Sequence, residues 1–156
     1  MSNEIKRLKR RIKTIEPLKK KNELELNLVQ HHLKASLDEY DKTLSIHQDL
    51  LGKRDTLVNT MQETYGSSND ISIHEMNNSR YYLHDLDDEI KRARDNLKNK
   101  SKKVESLKQT VSKHQIDRNL FDKTQAVSKA ALMCEQDKLH MNEMDEMCSR
   151  KNSVET

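Results

Sequence analysis

The sequence predicts an all-α fold, a long antiparallel two-helix coiled-coil hairpin, and three observations lead there. First, residues between Leu83 and Phe121 recur at alternating steps of three and four: Leu83, Leu86, Ile90, Ala93, Leu97, Lys100, Val104, Leu107, Val111, His114, Arg118 and Phe121, of which only Lys100, His114 and Arg118 are polar. A narrow stripe with a 3.5-residue period faces one partner helix, which is the mark of a coiled coil. Second, the N-terminal part of the chain carries a stripe of nearly the same period. Third, a single loop-like stretch, Gly66-Ser67-Ser68-Asn69-Asp70, separates the two stripes. A short loop between two long helices brings the second back antiparallel to the first.

Composition supports the same class. The 156 residues are 35% charged and 33% apolar, with no Trp, one Phe, one Pro and two Gly, too little apolar bulk for a thick globular core. Such polarity is shared with disordered chains, but a disordered chain has no reason to keep an apolar period.

Helix 1 is expected over about residues 3–64. Its stripe reads Ile5, Leu8, Ile12, Ile15 and Leu18, then Leu26, Val29, Leu33, Leu37, Tyr40, Leu44, His47, Leu51, Val58 and Met61. Pro17 lacks a backbone donor and its ring crowds the carbonyl four residues back, so a kink or fray is expected near Thr14–Pro17. Gly52 is a second soft spot, costing about 1 kcal/mol relative to Ala.

The turn is expected over about 65–72, with Gly66 as the left-handed residue that ends helix 1. Ser72-Ile73-His74-Glu75 fits a capping box, the Ser72 hydroxyl accepting from the Glu75 amide and the Glu75 carboxylate reaching back. Helix 2 then runs from 73 to about 148, with a frayed end from Arg150 to Thr156. Near Leu120–Phe121 its stripe is expected to slip by one residue onto Leu120, Val127, Cys134, Met141 and Cys148. If Tyr65 lies opposite Ile73, paired residue numbers add to about 138. Leu51 then faces Leu86, His47 faces Ile90, Leu33 faces Val104 or Leu107, and Ile5 faces Met133. Helix 2 overhangs helix 1 by about fifteen residues at the open end, and the arm is about 90 Å long. The expected organisation is one hairpin domain over 1–156, and a monomer.

Charge is unevenly placed. Residues 1–21 hold nine Lys/Arg against Glu4 and Glu16, so this stretch is +7 and the remainder −4, within a total of +3. The run Lys6-Arg7-Leu8-Lys9-Arg10-Arg11-Ile12-Lys13 serves as a solvated coiled-coil flank, as a basic patch for a protein partner, or for nucleic acid or anionic lipid. No aromatic residue interleaves it, which disfavours single-stranded nucleic acid. No apolar run reaches the length of a membrane span.

Catalytic and metal chemistry find no residues to work with. There is no carboxylate pair, no nucleophile beside a base and no Gly-rich phosphate loop, so no enzyme, cofactor or catalytic residue is expected. The seven histidines, at 31, 32, 47, 74, 84, 114 and 140, do not pair at ligand spacing, so no metal is expected. Cys134 and Cys148 would lie about 21 Å apart on one helix, too far for an internal bridge. Met133, Met141, Met144 and Met147 near the C-terminus either continue the seam or form an adaptable partner surface.

Four segments carry a resemblance to a known family: Tyr82-Leu83-His84-Asp85-Leu86-Asp87-Asp88-Glu89-Ile90 after the turn, Lys103-Val104-Glu105 and Leu120-Phe121-Asp122-Lys123-Thr124-Gln125-Ala126 further on, and Lys138 to Met147 near the end. Together they resemble the flagellar FliJ and injectisome YscO family of type III export proteins, over Tyr82 to about Arg150. The resemblance implies a non-catalytic central stalk. Its open end, with both termini, inserts in the export ATPase hexamer, while the hairpin engages the cytoplasmic domain of the export gate and escorts secretion chaperones. It implies a cytoplasmic protein, peripheral to the secretion apparatus at the inner membrane. Tyr82 and Leu86 match the family's gate-contacting aromatic and Leu. Glu89 stands where a small residue is common, Ala93 where a ring is found, and helix 1 lacks the family's paired exposed tyrosines. Sparse aromatics lean toward the injectisome branch.

The expected partner-binding residues are therefore Tyr82, Leu86, Glu89 and Ala93 for the gate. Arg7, Arg10 and Arg11 are the candidates for the ATPase ring. No nucleic acid partner and no membrane insertion are expected. A generic coiled-coil adaptor or chaperone without an ATPase partner is the alternative.

Overall fold

The computed structural model describes residues 2–67 and 72–155. They form two helices, α1 (Asn3–Ser67) and α2 (Ile73–Val154), with no strand among the described residues. Each helix starts at a serine cap: the Ser2 hydroxyl accepts from the Ile5 amide at 3.4 Å, and the Ser72 hydroxyl from the Glu75 amide at 3.5 Å. Glu75 also places a carboxylate in the first turn of α2, beside the exposed amides.

The two helices pack into two compact units, one made of residues up to Leu28 with those from Val111 onward, the other of Val29–Thr110. In both, α1 and α2 run antiparallel, as the cross-helix bonds show. In the first unit Asn22 meets His114, Glu16 and Lys19 meet Gln125, and Lys19 meets Asp122. In the second Glu39 meets Lys100, Arg54 meets Asp87 and Tyr65 meets Ser79. Paired residue numbers add to between 136 and 144, centred near 140. The expected sum of 138 was therefore about two residues short. By register His47 lies opposite Ala93 rather than Ile90, Ile90 opposite Leu50, and Leu86 opposite Arg54.

Burial traces one heptad phase on each helix. On α1 the inward positions are Ile5, Leu8, Ile12, Ile15, Lys19, Asn22, Leu26, Val29, Leu33, Ser36, Tyr40, Thr43, His47, Leu50, Arg54, Leu57 and Met61. Leu18 (49% exposed) and Leu51 (39%) are not among them, and Leu37, Leu44 and Val58, half-buried, each lie one residue past the inward Ser36, Thr43 and Leu57, which corrects the expected stripe. On α2 the stripe from Leu83 to Phe121 stands as expected, apart from Arg118, which is exposed. The expected slip after it does not occur. Leu120 (59%), Val127 (62%) and Met141 (65%) are exposed, as are both cysteines, while Gln125 (7%) and Ser128 (2%) are buried. Ala131, Leu132 and Glu135 continue that phase, each half-buried. Ile5 is 2% exposed and Met133 67%, so Ile5 packs opposite Glu135 rather than Met133.

A one-residue slip would turn the stripe by 100° and take it away from Ile12 and Ile15 on α1. Two polar residues satisfied in the seam cost less than that. Gln125 donates to Glu16 at 2.5 Å and accepts from Lys19 at 3.4 Å. The Ser128 side chain is small. No buried side-chain nitrogen or oxygen among the described residues lacks a hydrogen bond.

The expected fray at Pro17 and helix end at Gly66 are also absent. α1 passes through Pro17 without interruption. The carbonyl that loses its donor belongs to exposed Lys13 and can bond water, and the Thr14 hydroxyl donates to the Arg10 carbonyl at 2.8 Å. α1 also passes through Gly66, which is helical and has no positive φ. The rest of the expected turn, residues 68–71, lies outside the described residues. α2 reaches Val154 instead of ending near 148, and every residue from 140 to 155 is exposed.

Candidate functional site

Two surfaces hold the residues singled out from the sequence. The first is in the unit formed by Val29–Thr110. Tyr82, Leu86, Glu89 and Ala93 follow one another at steps of four, three and four along α2, but the structure divides them. Leu86 is 3% exposed and Ala93 half-buried, both in the seam. Tyr82 (54% exposed) and Glu89 lie one heptad apart on the flank, outside it. Tyr82 lines an open groove with Asp49, Gly52, Lys53, Thr56, Leu57 and Thr60 of α1. Thr56 and Thr60 spend their hydroxyls on carbonyls one turn back, at 3.0 and 2.8 Å, so the groove floor is largely apolar in character. By register Ile46, 57% exposed, continues the same flank.

Sequence reasoning missed Tyr81, which is 71% exposed beside Tyr82. The heptad held the signal: Tyr81 is two residues before the inward Leu83, at the position that points straight out. This flank thus offers two rings and an exposed Ile, with Asp49, Lys53 and Glu89 at its edges. Such a surface suits a partner segment that is mainly apolar. It holds no acid–base pair and no enclosed cavity.

The second surface is the basic run in the other unit. Arg7, Arg10 and Arg11 are all exposed, and Arg7 and Arg10 line an open concavity with Asn3 and Lys6. Among the described residues, none of Lys6, Arg7, Lys9, Arg10, Arg11 and Lys13 forms an ion pair. Further along α1, cations are used internally. Lys19 meets Asp122 at 2.6 Å; their hydrogen bond raises the Lys19 pKa and lowers that of Asp122. In the Val29–Thr110 unit the hydrogen bond from Lys100 lowers the Glu39 pKa, and the one to Asp87 raises that of Arg54. The basic run therefore stands apart as charge with no use inside the fold.

No group of three His, Cys, Asp or Glu among the described residues could hold a metal ion. No described helix is long and apolar enough to cross a membrane.

Residues 8–154 match the family described as Flagellar FliJ protein, nearly the whole chain. The chain belongs to the FliJ family. No curated protein and no solved structure matches it. FliJ-family membership makes the chain a non-catalytic component of flagellar or type III export.

Proposed function

We propose that this FliJ-family chain is the central stalk of an export ATPase and an escort for secretion chaperones. Its open end inserts in the ATPase hexamer, and the flank around Tyr82 contacts the cytoplasmic domain of the export gate. The protein sits at the inner membrane as a peripheral part of the apparatus, held by these contacts and not by insertion. The observation that supports the reading best is the basic run, without an ion pair among the described residues, at the end of a family-matched pair of helices. A ring with an acidic lumen would draw in that end, and the contact would weaken with salt.

Within the gate surface, Tyr82 and Glu89 are the contacting side chains and Leu86 and Ala93 the seam residues that hold them in place. The test uses the purified chain with its ATPase and the gate domain. Reversing Arg7, Arg10 and Arg11 to Glu should abolish stimulation of ATP hydrolysis while leaving gate binding intact. Stimulation that survives the triple reversal at moderate salt would refute the ring contact. Tyr82→Ala should do the reverse, cutting gate binding alone.

A further inference from the structure

The outward face of α2 carries a second heptad stripe. Its positions are Ile116, Leu120, Lys123, Val127, Ala130, Cys134, Asp137, Met141, Met144 and Cys148, at alternating steps of four and three, all in the unit that begins at Val111. None of them is inward: every one is exposed, and Ile116, Leu120, Val127, Met141 and Met144 are each more than half exposed. Met133 and Met147, beside the stripe, are 67% and 62% exposed. A solvated helix face has no cause to keep an apolar residue at a 3.5-residue period. A face that receives another long helix does.

We propose that this face is a second coiled-coil seam through which two copies of the chain pair, α2 against α2, in antiparallel orientation. A second copy is the occupant for three reasons. The occupant must itself be a helix with a matching stripe, and α2 of another copy presents one. The stripe from Ile116 to Cys148 is about 50 Å long, and a helix-wide contact of that length is on the order of the ~800 Å² per side that stable interfaces bury. The charges also agree. Between Ile116 and Met144 the stripe contains two charged residues, Lys123 and Asp137, each seven residues from Ala130. An antiparallel two-fold axis close to Ala130 brings Lys123 of each copy within a helical turn of Asp137 of the other. A parallel pairing would instead set like against like. Small residues, Ala126, Ala130 and Cys134, lie near that axis, so the backbones can approach where the helices cross. The bulkier Ile116, Leu120, Met141 and Met144 lie toward the ends. The seam between α1 and α2 is untouched, so each copy keeps its own fold; the face belongs to the end that enters the ATPase ring in the function proposed above, so the pair is the form of the chain outside the ring.

Sedimentation equilibrium of the reduced full-length chain from about 1 to about 200 μM tests this by mass action. The mean mass should rise from 18.4 kDa toward twice that value. Leu120→Glu with Val127→Glu should raise the dissociation constant at least about tenfold while helicity and melting stay as in the parent chain. Lys123→Glu alone should weaken the dimer, and adding Asp137→Lys should restore it. Orientation is read after oxidation of Cys134→Ser, which leaves Cys148 as the sole thiol. In the antiparallel dimer the two Cys148 residues lie about 50 Å apart, so no covalent dimer should form. A chain that stays monomeric throughout overturns the proposal and leaves the stripe to a helix from a different protein. So does a dimer indifferent to Leu120 and Val127. A ready Cys148–Cys148 bridge would overturn the antiparallel arrangement.

Discussion

Leu86→Ala and Tyr82→Ala separate packing from the proposed partner contact, because the structure buries the first of these two residues, four apart in sequence, and exposes the second. Leu86 is 3% exposed and Tyr82 54%. Truncating Leu86 removes most of a buried side chain and leaves a hole between two helices that cannot close fully. Core Leu→Ala changes cost about 2–5 kcal/mol, according to how far the site collapses. Here the lower part of that range applies, about 2–3 kcal/mol. The seam is only two helices thick, and the long stem of Arg54, opposite by register, can settle over the gap. For a chain of this size that is a fall of roughly 5–10 °C in melting temperature. Tyr82→Ala should change the melting temperature by less than about 2 °C, since the ring already stands half in water. The assay is thermal and urea unfolding followed by circular dichroism, paired with binding to the gate domain. The expected pattern is a destabilised Leu86→Ala chain and a fully stable Tyr82→Ala chain that no longer binds. Equal destabilisation by the two would make Tyr82 a seam residue and refute both the register and the placement of the surface.

Other perturbations test the polar parts of the seam. Asn22 donates to the His114 carbonyl and meets its ring nitrogen, both at 3.0 Å, so Asn22→Ala and His114→Ala should show a coupling of about 0.5–3 kcal/mol in a double-mutant cycle. Asn22→Ala combined with Leu97→Ala, in the other unit, should be additive in the same unfolding measurements. Ser128→Asp should destabilise the chain strongly, because it places a charge where 2% of the residue is exposed, whereas Leu120→Asp should not; the opposite ranking in urea unfolding would restore the slipped stripe. Stability should fall as pH drops through the carboxylate range. Glu39 and Asp122 have folded pKa values below their unfolded ones, so their contribution is present above the unfolded values and lost as pH falls through the folded ones. Both groups are exposed, so the drop is small. A Glu39→Gln, Asp122→Asn chain should lose part of it, and unfolding curves at a series of acidic pH values would show whether it does.

The heptad made the helices legible in the sequence, because burial in a two-helix seam is a one-dimensional problem: which face is inward follows from the 3.5-residue period. From Leu83 to Phe121 that reasoning located the inward face, with Arg118 the exception, and it put the start of α2 at Ile73 through the Ser72 cap. It failed where apolar residues and the heptad part company. Leu18, Leu51, Leu120, Val127 and Met141 are apolar and outward, while Lys19, Asn22, Ser36, Thr43, Gln125 and Ser128 are polar and inward. Pattern reading follows the apolar residues and so inferred a slip. Only the partner helix, holding its own phase on the other side of the seam, decides that the phase continues and that the polar residues are satisfied across it.

The candidate sites divide in the same way. The basic run of Arg7, Arg10 and Arg11 was visible in the sequence, because charge needs no partner to be recognised. The gate residues were proposed as one group of four. The packing of α1 against α2 separates them into Leu86 and Ala93 within the seam and Tyr82 and Glu89 beside it, with Tyr81 newly exposed as their neighbour. The sequence alone thus determined that the chain is two coiled-coil helices with a cationic N-terminal run. The tertiary structure decided the register near 140, the single phase of each seam and the apolar residues left facing water. The physical reason is that a period specifies an angle on one helix, but not which residue of the other helix meets it.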